Sequence, residues 1–122
     1  MDLGSFSLSL AVADLAASQS FYEKLGFRSF DGDGATWVML QQGTAKIGLF
    51  HGLFEGNAMT FNPSDVRGVQ RRLKADGISL LLEADEQGDG PAHAMLTDPD
   101  GNVILLDQLP DASPREGATA ST

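Results

Sequence analysis

The stretch "FSLSLAVADLAASQSFYEKLGF", residues 6 to 27, sets the reading of the whole chain. Phe6, Leu8, Leu10 and Val12 alternate with Ser7, Ser9 and Ala11. A period of two is a strand with one apolar face and one face of small, mostly hydroxylated side chains. Asp14 then stands where a helix N-cap belongs. Leu15, Ser18, Phe21, Tyr22 and Leu25 follow at helical spacing, as an inner stripe. Gly26 offers the left-handed stop that ends many helices, and Phe27 opens a new strand.

The same order returns further on. Asp65 to Gly77 spans the same twelve positions as Asp14 to Gly26, and each glycine is followed by an apolar residue, Phe27 or Ile78. Around these helices the first half reads as strands at 6 to 12, from 27, at 35 to 40 and at 44 to 50, with turns at "DGDG" (31 to 34) and "QQG" (41 to 43). The second half reads as a strand at 58 to 61, then a helix capped by Ser64 or Asp65 with Val66, Val69, Leu73 and Ala75 inward. Strands follow at 78 to 83, 92 to 97 and 102 to 109, with a loop at 85 to 91 and the turn "DPDG" at 98 to 101. Each half is thus β-α-β-β-β, an internal repeat. Half a chain of this size buries too little surface to be stable alone. The expectation is therefore one α+β domain over residues 1 to 109, with repeat one about 5 to 51 and repeat two about 57 to 109. The stretch 110 to 122, small and polar without apolar period, is expected to be a disordered tail.

Composition narrows the function. The chain has 122 residues, 17 acids against 8 bases, a formal net charge of −9 and no cysteine. An acidic surface repels nucleic-acid phosphates and anionic lipid. Arg67, Arg71, Arg72 and Lys74 sit on one helix among acids and read as a solvated face. Without cysteine there is no disulfide, thiolate nucleophile or cysteine-held zinc. No long apolar run and no basic leader is seen, so no membrane span is expected and the location is expected to be cytoplasmic. "DGDG" and "DPDGN" lack the third acid and final Glu of a calcium loop and read as hairpin turns.

Two β-α-β-β-β halves, with "VADLAASQSFYEKLGF" in the first and "DPDGNVILLDQ" closing the second, resemble the vicinal oxygen chelate superfamily of glyoxalases, bleomycin-resistance proteins and extradiol dioxygenases. The segment "IGLFHGLFEGNAMTFNP", 47 to 63, looks like small bacterial glyoxalase-like members. The resemblance spans about residues 5 to 109. It implies curled mixed sheets around a concave cup, helices outside, and a homodimer. In the family's metal enzymes, ligands of His, Glu or Gln type come from the first and last strand of each half. The matching positions here hold Ser7, Gly48, Ala58 and Leu105. None is an imidazole or carboxylate, whereas a catalytic metal needs about three such ligands. No metal and no cofactor is therefore expected.

Alternation places Ser5, Ser7, Ser9, Lys46, Gly48, Phe50, Ala58, Thr60, Asn62, Val103, Leu105 and Asp107 on the face of the missing ligands. Leu8, Leu10, Ile47, Leu49, Met59, Phe61, Ile104 and Leu106 fall on the face toward the helices. The expected ligand-binding set is Ser7, Ser9, Trp37, Gly48, Phe50, Phe54, Ala58, Thr60, Asn62, Leu105 and Asp107, with the face of Trp37 open. The bland alternative is that Phe50, Trp37 and Met39 or Met95 simply fill the space. Candidate catalytic residues are Asp107 and His51, or Asp107 with Glu83, for metal-free proton transfer. Leu53 and Phe54 are apolar for a linker and read as packing, a lid or a partner surface. The leading function is metal-independent binding of a small, flat or apolar organic molecule, as in drug sequestration. The alternatives are a glyoxalase-like lyase or isomerase or a dioxygenase, metal-free or with non-standard ligands, and a module that docks another protein.

Overall fold

The computed structural model describes residues 1–53 and 55–110. Its elements run β1 (Ser5–Ala11), α1 (Leu15–Lys24), β2 (Arg28–Gly32), β3 (Trp37–Gln42), β4 (Ala45–Phe50), β5 (Ala58–Asn62), α2 (Val66–Ala75), β6 (Ala92–Thr97) and β7 (Val103–Gln108). The expectations for Phe54 and for residues 111 to 122 lie outside the described residues.

Both helices start and stop by the same chemistry. Asp14 accepts the amide of Ala17 at 3.0 Å, and Asp65 accepts that of Gly68 at 3.0 Å. Each carboxylate satisfies an amide that the helix leaves open. At the far ends Gly26 (φ 103°) and Gly77 (φ 84°) take the left-handed conformation. Gly26 N–H then reaches Glu23 O and Phe27 N–H reaches Tyr22 O, while Gly77 reaches Lys74 O and Ile78 reaches Leu73 O. This is the two-bond Schellman stop, with Tyr22 edge-on to Phe27 as its apolar contact in the first case.

The described residues form two units, Ser7–Met59 and a second made of Met1–Phe6 with residues 60–110. In the first, the strands lie in the order β2-β3-β4-β1. β1 and β4 are parallel, with Leu8 beside Ile47 and Ser9 beside Gly48; β2, β3 and β4 are antiparallel. α1 packs on β3 and β4. Its core is Leu15, Val38, Leu40, Ile47 and Leu49, with Leu10, Val12, Tyr22 and Phe27 around them. In the second unit β5, β7 and β6 are neighbours in that order, and α2 packs on β6 and β7. Its core is Val66, Val69, Ala84, Ala94, Leu96 and Leu106.

Three expectations are corrected. Helix-facing side chains of β1 are not all buried: Phe6 is 45% and Leu8 36% exposed. Cover of this face is partial: Leu10 packs against the core that holds Leu15 of α1, and Phe6 lies against Phe61 with ring centroids 5.2 Å apart, while Leu8 keeps its exposure. Phe21, Leu25 and Ala75 are likewise exposed. Next, Arg67 does not belong to a solvated face. It is buried, its Nε donating to Asp85 O at 2.7 Å and its Nη1 to Gly90 O at 2.9 Å. Arg71, Arg72 and Lys74 do stay at the surface, paired with Glu86, Asp76 and Glu83.

Last, residues 78 to 83 are not a strand. They make one bridge, Leu82 to Met95, and the amides of Leu81 and Leu82 both point at Met95 O. Two residues opposite one is a bulge that ends the ladder. Beyond it the backbone is claimed by a side chain. Gln70, fully buried on α2, accepts Ala84 N–H at 2.7 Å and donates to Ala84 O at 3.1 Å. Its amide thus replaces a neighbouring strand, and the second unit has three strands where four were expected. Gln70→Leu would orphan both Ala84 groups. A loss of about 2–4 kcal/mol is expected in urea unfolding; a loss below about 0.5 kcal/mol would show that the clasp is dispensable.

Candidate functional site

Each unit has one sheet face turned away from its helix, and the strand register assigns the side chains to it. In the first unit Val38, Leu40, Ile47 and Leu49 are in the core against α1. The alternate residues form two rungs: Ser9, Gly48 and Met39, then Ala11, Phe50 and Trp37. Trp37 therefore shares the face of Gly48, which settles its orientation. Its ring lies parallel to Phe50, centroids 6.3 Å apart at 6°. A Cβ on Gly48 would sit 2.6 Å from Phe50 Cε2 and 2.8 Å from Met39 Sδ. The missing side chain is thus what lets the aromatic ring and the thioether lie over the strand.

Ser7, Ser9, Thr60 and Ala58 are all buried although three carry hydroxyls. Ser7 Oγ finds no hydrogen-bond partner among the described residues. Ser7 is also the position at which the family's first ligand would stand.

In the second unit, the buried Ala94, Leu96 and Leu106 face α2. Opposite them lie the pairs His93–Asp107, Met95–Leu105 and Thr97–Val103. Asn62 on β5 is fixed between Ser5 Oγ, which donates to its Oδ1 at 3.2 Å, and Asp107 O, which accepts from its Nδ2 at 2.8 Å. Desolvation pushes the Asp107 carboxyl above the ordinary aspartate range, with His93 opposing this weakly. The cross-strand neighbour of Asp107 is His93, not His51 or Glu83. Glu83 is tied to Lys74 at 2.8 Å. His51 has its Nδ1 at 3.2 Å from Val12 O. The signal for the His93 pairing was in the sequence. The tight turn at 98 to 102 fixes the hairpin register, and stepping outward from Thr97 and Val103 puts His93 opposite Asp107.

The two acid-rich turns serve themselves. Asp33 accepts the amides of Ala35, Thr36 and Trp37, and Asp98 those of Asp100 and Asn102. Hydrogen bonds from Thr36 and from Asn102, side chain first, hold these carboxyls below the usual range. Their oxygens point into their own turns. Among the described residues, no three His, Cys, Asp or Glu side chains gather where they could hold a metal ion. With Ser7, Gly48, Ala58 and Leu105 at the ligand positions, the donor set does not fit the metal of the family's enzymes.

Asp107 yields a pH test. Its folded pKa lies above its unfolded one, so the ionised carboxylate destabilises the fold at neutral pH, and the penalty vanishes where both states are protonated. Asp107→Asn is expected to raise Tm at pH 7 and to leave it unchanged near about pH 3. An equal gain at both pH values would mean that charge is not the cause.

The comparisons with known proteins come to the same fold. No curated protein matches the chain significantly. The structure is similar to a Legionella pneumophila protein solved as an NAD-dependent benzaldehyde dehydrogenase, at TM-score 0.73 and 21% identity over 85% of this chain and 98% of that one. It is similar to a glyoxalase/bleomycin resistance protein/dioxygenase superfamily member from Vibrio splendidus, at TM-score 0.62 and 24% identity over 84% and 97%. A hypothetical protein from Bacillus halodurans gives TM-score 0.69 and 16% identity over 93% and 98%. At these identities the likeness is one of fold. The family model for the Glyoxalase/Bleomycin resistance protein/Dioxygenase superfamily matches residues 4–106. By that match, on the repeated frame described above, the chain belongs to this superfamily.

Proposed function

We propose that the protein binds a small, flat or apolar organic molecule without a metal, in the manner of the superfamily's sequestering resistance proteins. The observation that carries this is the helix-free face of the first unit. There, half-buried Trp37 and Phe50 lie parallel beside Gly48, with small side chains at Ser7 and Ser9. Aromatic surface beside small polar groups is the usual lining of an organic-ligand site. Asn62, Thr60, Leu105 and Asp107 give the second unit a face of similar mixed character. The reading without metal is supported by Ser7, Gly48, Ala58 and Leu105 standing at the ligand positions of the superfamily's metal enzymes, since none is an imidazole or a carboxylate. The exposed Phe6 and Leu8 favour a homodimer, in which a second copy would cover them.

The test is a thermal-shift screen of planar aromatic compounds on protein treated with chelator. A ligand at about a hundredfold over Kd is expected to add about 2.7 kcal/mol of stability. Trp37, the single tryptophan, is expected to change its fluorescence on binding. Gly48→Leu, which pushes a side chain into the space of Phe50 and Met39, is expected to abolish both effects in a variant that still unfolds cooperatively. Turnover that depends on added divalent metal would instead establish the lyase, isomerase or dioxygenase alternative.

A further inference from the structure

Of the described acids, only Asp98 and Asp107 are drawn substantially out of solvent. They are treated in opposite ways. The carboxylate of Asp98 is filled: Asn102 Nδ2 donates to it at 2.7 Å, and the amides of Asp100 and Asn102 donate at 2.9 Å each. The carboxylate of Asp107 accepts no hydrogen bond and enters no ion pair among the described residues. Its backbone is occupied, since Asn62 donates to its carbonyl. Its side chain is not.

The surroundings of Asp107 define what would complete it. Its own strand places Leu105 and Val103 on the same face. Across the hairpin stand His93, Met95 and Thr97. From β5 the neighbour is Asn62, already held by Ser5. Among the described residues, His93 is the titratable group that faces it across the hairpin; its imidazole is exposed and is not ion-paired with Asp107. A carboxylate on a partly dehydrated face, with apolar side chains beside it, interacts with a cation far more strongly than one in open water. A half-buried acid kept without a side-chain partner is a pattern found where a group is retained for binding. The net charge of −9 also draws cations toward the molecule.

We propose that Asp107 anchors the charged end of an organic cation, an ammonium or amidinium group on an apolar body that lies along Leu105 and Met95. This rests on the binding reading above and specifies the chemical class of the ligand. A simple metal cation does not meet the description, because one carboxylate cannot replace its hydration shell and the neighbouring side chains are apolar.

The experiment is a titration of the 15N-labelled full chain with three isosteres: 2-naphthylmethylammonium, 2-naphthylmethanol and 2-naphthoate. The ammonium is expected to move the amides of residues 93 to 95 and 105 to 108, with Kd at least tenfold below that of the alcohol. The naphthoate is expected to bind weakest. In Asp107→Asn, which preserves shape and the backbone bond from Asn62, the preference for the ammonium over the alcohol is expected to disappear. If the alcohol or the naphthoate binds this face as tightly as the ammonium, or if Asp107→Asn keeps the preference, the cation assignment is overturned and the binding reading stands. If none of the three moves any amide of β5, β6 or β7, the assignment is overturned together with this face as a binding surface, and the reading then rests on the Trp37–Phe50 face alone.

Discussion

A ten-residue helix is about 15 Å long and 10 Å across, and strands in a sheet are about 4.8 Å apart. One such helix covers two strands. This constraint governs the rest of the structure. α1 lies on β3 and β4, and α2 on β6 and β7. Among the described residues, the two apolar cores form under those helices. On the strands that a helix covers least, apolar alternation keeps only part of its burial: Leu10 and Phe61 reach the edges of the two cores, while Phe6, Leu8 and Phe30 stand exposed. The pattern of a strand tells which side chains share a face. Whether that face is covered depends on how many strands the helix can span.

The same limit explains the polar side chains buried on α2. Once β6 and β7 lie under the helix, the chain returning from Gly77 has to pass its far side. Arg67 and Gln70, one helical turn apart, hold it there by its backbone at Asp85, Gly90 and Ala84. A guanidinium and an amide can satisfy carbonyls and an amide N–H that a missing strand would leave open. The bulge at Leu81 and Leu82 and the side-chain clasp at Ala84 are therefore two parts of one solution. Here the second repeat departs from the first while both keep the same helix start and stop.

What was legible in the sequence was local or periodic. Asp14 to Gly26 and Asp65 to Gly77 declare their helices because cap and stop lie within a few residues of the bonds they make. Ser7, Ser9, Gly48 and Leu105 could be placed on the helix-free face because alternation is strict within a strand. What stayed hidden acts at longer range. Gln70 reaches across fourteen residues to Ala84, and nothing in the apolar pattern of 78 to 83 announces that a side chain will take the place of a ladder. Trp37 had no assignable face until its pairing with Phe50 fixed the phase of its strand. Arg67 looked like one more base on a charged helix, because charge in a sequence does not show which carbonyls lie near it.

The helix-free faces keep the frame of the fold with a different set of side chains at the positions where the family's metal enzymes carry ligands. Metal chelation asks for imidazoles and carboxylates at fixed points. Ser7, Gly48, Ala58 and Leu105 at those points offer no imidazole and no carboxylate. At Gly48 the space is taken by Phe50 and Met39, and the aromatic ring there lies parallel to Trp37. At Leu105 the polar function has not vanished from the strand, since Asp107 stands two residues further on the same face. A shift of two residues along a strand preserves the side a group points to and moves it about 6.6 Å. It also changes its neighbours, so that Asp107 meets His93 and Asn62 in place of other ligands. A carboxylate placed so is no longer one donor among several around an ion. It is a half-buried charge between His93 and Asn62 at one end of the strand and Leu105 further along it, which is why an organic partner of opposite charge is proposed for it.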